Sequence, residues 1–139
     1  MKAMTLEAAN ELIGKAMARV AQQFARPVCV SVCDAAGFLV AFARDDGAPL
    51  RSIRIAQAKA YTAVRMGVST EALLARLHRE QIEIGYFADP GLTALPGGSV
   101  LRDAAGAVIG GIGVSGLTSA EDQQVTDHVA ALVHGGAPA

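Results

Sequence analysis

Lys59 stands in an alanine-rich run, IAQAKAYTA, between Ala58 and Ala60. An ammonium among small apolar neighbours is partly desolvated, which lowers its pKa and makes it a usable base or imine former. The alternatives are a lysine that snorkels its ammonium into water, or one that holds an acidic partner such as Asp46. Arg44 closes a strand-like run just before Asp45, Asp46 and Gly47. A guanidinium there could clamp a carboxylate through two parallel hydrogen bonds, or pair with an aspartate to fix the loop. Gly97 and Gly98 follow Leu95 and Pro96 and precede another strand-like run. Their N–H groups could line an anion pocket or an oxyanion hole; a simple turn accounts for them equally. Tyr86 and Phe87, just upstream, could roof a flat ligand or anchor their loop.

The stretch GGIGVSG (110–116) contains Gly111-x-Gly113-x-x-Gly116, the spacing of a dinucleotide-binding turn. That motif needs a helix and then a second parallel strand. Only 23 residues of the 139 follow Gly116, and a helix consumes most of them, so a dinucleotide site is not expected. What remains is a chain that leaves a strand at Ser115, turns at Gly116 and enters a helix near Ser119, with Asp122 in the helix's first turn. The glycines let either a ligand or a neighbouring helix approach the backbone, and the helix start offers N–H groups to an anion.

Of three histidines, His78 and His128 are the axial candidates for a haem iron, and His134 lies in the tail. No two have ligand spacing, no C-x-x-C-H exists for covalent haem attachment, and no metal cluster or G-x-S-x-G elbow is present. Cys29 and Cys33, four apart in a strand, sit about 13 Å apart, too far for a disulfide; buried thiols are expected.

These residues must be positioned by one α+β domain spanning 1–139. Thr5 caps a helix over about 6–25. VCVSVCD (28–34) and FLVAFAR (38–44) form a hairpin through the turn DAAG. A helix at about 50–66 ends at Gly67, and another starts at Ser69 or Thr70. Residues 85–98 read as loop with a short strand at 92–95. A second hairpin, again through DAAG (103–106), leads to a helix over about 119–133, opened by the capping box Thr118–Glu121. Two hairpins predict a largely antiparallel sheet, with helices on one face. The composition is 52% hydrophobic and 18% charged, with a mean hydropathy of +0.35. No run approaches the roughly 20 apolar residues of a membrane span, so the excess apolar surface points to a homo-oligomer. A net charge of −1 and 4% aromatics give no nucleic-acid platform. No export segment precedes the first helix, and a cytoplasmic protein is expected.

VSVCDAAGFLVAFARDDGA, IAQAKAYTA, ALPGGSVLRDAAGAVIGGIGVSG and EDQ, in this order, resemble the GlcG/HbpS family, also called the haem-degrading-domain family, to which the C-terminal domain of PduO-type corrinoid adenosyltransferases is similar. The resemblance runs from about Thr5 to Val133. It implies a profilin-like α+β domain with a mostly antiparallel five-stranded sheet and flanking helices, assembled into dimers up to octamers. It implies recurrent polar positions at Asp34, Arg44, Asp46, Lys59, Gly97, Gly98, Ser115, Gly116 and Asp122. Some members bind haem. The expected function is binding of haem or another flat, carboxylate-bearing ligand near Lys59 and the Gly97–Gly98 turn. The alternative is a cofactor-independent isomerase, lyase or cyclase, in which Arg44 clamps a small carboxylate and Lys59 or Asp46 moves a proton. No cofactor is required by the motifs themselves.

Overall fold

The computed structural model describes residues 3–135; the tail beyond 135 lies outside the described residues. The elements run α1 (Leu6–Gln23), β1 (Cys29–Asp34), β2 (Leu39–Arg44), α2 (Ser52–Met66), α3 (Thr70–Glu80), a 3₁₀ turn (Ile84–Phe87), β3 (Gly98–Arg102), β4 (Val108–Ser115) and α4 (Ser119–His134). The strands make one antiparallel sheet in the order β2-β1-β4-β3.

The sheet among the described residues has four strands, which corrects the expected five. The missing strand at 92–95 fails because Pro96 has no N–H to donate, Gly97 turns at φ +126°, and the Thr93 N–H is spent on the Thr62 hydroxyl of α2 at 2.9 Å. Helices also cover both faces rather than one. Val28, Val30, Val32, Ile112 and Val114 pack with Leu12, Ile13 and Val20 of α1 and Val125 and Val129 of α4. The opposite face, with Cys29, Ser31 and Cys33, lies under α2 and is equally buried. β1 is therefore apolar on alternate positions yet buried on all of them until Asp34.

Glycines set how close α2 comes. A Cβ on Gly98, Gly111 or Gly113 would land on the backbone carbonyl oxygen of Lys59, Ala60 or Ala56 respectively. Ala56, Ala60 and Ala63 are fully buried against this strip, so small residues on both sides let helix and sheet backbones touch. Two glycines of the dinucleotide-like spacing, Gly111 and Gly113, thus seat a helix. The two DAAG turns are also alike. Asp34 Oδ1 accepts from the Ala36 and Phe38 N–H groups, and Asp103 Oδ1 from those of Ala105 and Ala107, all at 2.9–3.0 Å. Gly37 and Gly106 supply φ near +90° in each. Asp34 serves its turn.

Candidate functional site

Lys59 is carried by the sheet-facing side of α2 and is 1% exposed. Its Nζ donates to the Val114 carbonyl at 2.9 Å and to Asp122 Oδ2 at 3.0 Å. The partner is therefore Asp122, on α4 across the sheet, and not Asp46. Gly97 makes the passage: a Cβ there would lie 2.7 Å from Lys59 Nζ and 2.8 Å from Asp122 Cβ. Asp122 Oδ1 accepts the Leu117 N–H at 3.1 Å, which ties the strand-to-helix turn to the pair. Gly116 turns there at φ +139°, against Pro27 and Val28. Burial lowers the Lys59 pKa and raises that of Asp122; the attraction between them opposes both shifts without cancelling them.

The Gly97 and Gly98 amides are spoken for. Gly97 N–H donates to Gln123 Oε1 at 2.6 Å, and Gly98 N–H to the Thr70 hydroxyl at 2.9 Å. Gln123 Nε2 returns a bond to the Gly98 carbonyl at 3.1 Å and reaches Asp127 Oδ1 at 2.9 Å. An oxyanion hole made of these two N–H groups is not what the geometry presents; they dock the start of β3 onto α3 and α4.

Beside the ion pair lies a cleft of about 190 Å³, lined by Arg51, Ser52, Ile55, Lys59, Leu95, Ser115, Gly116, Leu117, Ser119 and Asp122. Four of the expected site residues, Lys59, Ser115, Gly116 and Asp122, meet here. Ser115 shares a 3.0 Å hydrogen bond with Ser52, the first residue of α2. Arg44 and Asp46 do not join them. Arg44 pairs with Cys29, which pairs with Ser115, so it stands two strands away, about 10 Å across the sheet, and is exposed. Asp46 lines a separate hollow with Arg26, Pro27 and the end of α1. Both are corrected as members of a catalytic set with Lys59. Tyr86 is 66% exposed in its 3₁₀ turn, His78 is exposed in the last turn of α3, and His128 is half-buried on α4; none of the three lines the cleft.

Arg51 and Ser52 are the cleft residues that the sequence reading passed over. LRSIR offers two arginines and a serine with no spacing signal to choose among them, and Ser52 lies 63 positions from its hydroxyl partner. A larger, shallower groove of about 650 Å³ runs along the outer side of α2 between Arg54, Gln57, Tyr61 and Gly91. Among the described residues no group of three or more His, Cys, Asp or Glu could hold a metal ion, and no helix is long and apolar enough to cross a membrane.

The family model described as haem degrading protein HbpS-like matches residues 4–131. A solved structure of a Streptomyces reticuli HbpS double mutant is 33% identical, with 96% of this chain and 88% of that one covered at a TM-score of 0.83. A PduOC:heme complex is 29% identical over 94% of each chain, with a TM-score of 0.81. The Klebsiella pneumoniae protein ORFY is 24% identical over 99% and 94%, with a TM-score of 0.86, a likeness of fold. No curated protein matches the chain.

Proposed function

This chain belongs to the HbpS-like family of haem degrading proteins, and from that premise we propose that it is a small-molecule-binding protein whose ligand is haem or another flat molecule bearing a carboxylate. The observation that carries the reading is the cleft at Lys59, whose lining brings together a buried lysine, Arg51 and the serines Ser52, Ser115 and Ser119. At about 190 Å³ it is smaller than sites that enclose cofactor-sized ligands. It takes the carboxylate, and the flat body lies outside, over Ile55, Leu95 and Leu117. No His, Cys, Met or Tyr lines it, so it offers iron none of the usual axial ligands. The cleft fits a propionate of haem and fits neither the ring nor the iron. The relative solved as a heme complex supports the haem side of this reading.

Hemin titration of the purified protein tests it. The expected result is a saturable, one-to-one Soret band, with the dimethyl ester of hemin bound at least tenfold more weakly. His78→Ala and His128→Ala, read by the position of the Soret band, test each histidine as axial ligand. A non-saturating titration removes haem as the ligand.

The Lys59–Asp122 pair favours a second reading, cofactor-independent isomerisation, lysis or cyclisation of a small carboxylate. Desolvation brings the proton affinities of the two groups toward each other, which suits a proton relay at the mouth of a small polar cleft. Arg51 replaces Arg44 as the clamp. Exchange of a substrate C–H in D2O, lost in Asp122→Asn, is the expected signature. We also propose that the chain acts as a homo-oligomer, since Phe38 at 72% exposure, just before the edge strand β2, and Leu39 at 54%, its first residue, are apolar and exposed; light scattering reads the mass.

A further inference from the structure

The geometry points to a specific recognition element within that cleft: we infer that Arg51 and the Ser52–Ser115 hydroxyl pair read one carboxylate as a monoanion, and that free acids of up to about six non-hydrogen atoms fit whole. The inference rests on the proposal that the cleft takes a carboxylate, and it adds the charge, the size and the reading residues.

Charge comes first. The charged residues lining the cleft are Arg51, Lys59 and Asp122. Lys59 and Asp122 neutralise one another at 3.0 Å, and Arg51 has no ion-pair partner among the described residues. One positive charge is left in excess. A monoanion balances it; a dianion brings a second negative charge close to Asp122, where like charges in a partly dry site repel.

The hydroxyl pair supplies the second observation. Ser52 and Ser115 are 2% and 5% exposed, and their one mutual hydrogen bond uses one O–H. That bond gives each oxygen one partner; the other O–H donates to no group among the described residues, and both serines line the cleft. A buried donor without an acceptor costs free energy that an incoming carboxylate oxygen recovers. Arg51 supplies a planar fork of donors for the same group.

Size sets the third limit. A volume of about 190 Å³ equals that of about six water molecules in the liquid. A three-carbon hydroxy acid fits whole. A porphyrin enters only by a propionate, so one chemistry has two sources, a free acid or a side arm of haem.

The test uses the full chain, labelled with nitrogen-15 and titrated with lactate, with neutral lactamide and with oxalate, a dianion of the same number of non-hydrogen atoms as lactate. Lactate is expected to give saturable shifts at the amides of Ser52, Ser115, Gly116 and Leu117, with lactamide and oxalate each at least tenfold weaker. Arg51→Gln weakens lactate at least tenfold and leaves the melting temperature unchanged, because its side chain is exposed. Ser115→Ala weakens it several-fold. Equal lactate affinity in Arg51→Gln, shifts that map elsewhere, or no shifts overturn the inference. A parallel hemin titration separates the sources. Lactate that displaces hemin supports a shared site. Lactate binding in the cleft with no saturable hemin band supports the inference and removes haem from the proposed function. A saturable hemin band with no lactate site overturns the inference and leaves the haem reading standing.

Discussion

Lys59 Nζ lies 3.0 Å from Asp122 Oδ2 with both side chains at most 3% exposed, and the absence of a side chain at Gly97 is what leaves room for the contact. The pair joins the helical layer on one face of the sheet to the layer on the other. Removing one partner leaves a lone buried charge. Lys59→Met or Asp122→Leu alone is expected to destabilise by about 3–5 kcal/mol, whereas the double variant recovers much of that loss. Urea unfolding of the three variants decides it, and singles as stable as the double would refute an energetically coupled pair.

The same pair sets a pH signature. Burial raises the Asp122 pKa above 3.8, so the folded state holds this proton to higher pH than the unfolded chain, and the stability it contributes falls as pH rises through that window. Burial lowers the Lys59 pKa below 10.5. There the unfolded chain binds the extra proton, so stability rises with pH up to 10.5. The difference in unfolding free energy between the wild type and the Lys59→Met/Asp122→Leu double variant is therefore expected to dip between the two windows and climb on either side. Glu121, whose capping-box bond to the Thr118 N–H lowers its pKa, adds an opposite acid-side slope to both proteins and cancels in the comparison. A flat difference from pH 3 to 10 contradicts the assignment.

Gly113→Ala pushes a methyl group into the Ala56 carbonyl of α2. Overpacking at a backbone contact is expected to cost about 3 kcal/mol. Gly14→Ala is the counterpart: it faces open space in the interior of α1 and is expected to stabilise by about 0.5–1 kcal/mol. Opposite signs in two thermal melts test whether α2 sits directly on the sheet backbone.

Cys33 is buried with its pKa pushed up to about 12, and burial also raises that of Cys29. At pH 8 roughly one Cys33 in ten thousand is thiolate, which is the reactive form. Iodoacetamide is expected to label neither thiol in the native protein and both in urea. Rapid native labelling would mean that β1 is accessible.

Local signals carried much of the architecture. Apolar spacing and the caps at Thr5, Ser69 and Thr118 locate α1, α3 and α4 to within a few residues, because a helix end is settled by side chains three positions away. Both DAAG turns announce their hairpins for the same reason. That residues 92–95 form no strand was not legible, because the Thr93 N–H goes to a hydroxyl 31 positions away while those of Leu92 and Leu95 bond within the loop. Nor could β1's alternating valines tell that its other face is buried too.

For the site, the sequence by itself determined which residue types were available: a lysine among alanines, glycines at the end of a strand, an aspartate opening a helix. Only the tertiary structure decided which of them meet. It joined Lys59 to Asp122 rather than Asp46, left Arg44 two strands away, brought Arg51 and Ser52 to Ser115, and closed the Gly97 and Gly98 amides with Gln123 and Thr70. The physical reason is reach. Turns and caps are settled within a few residues of chain, whereas a buried charge takes whichever partner the packing of distant helices carries to within 3 Å.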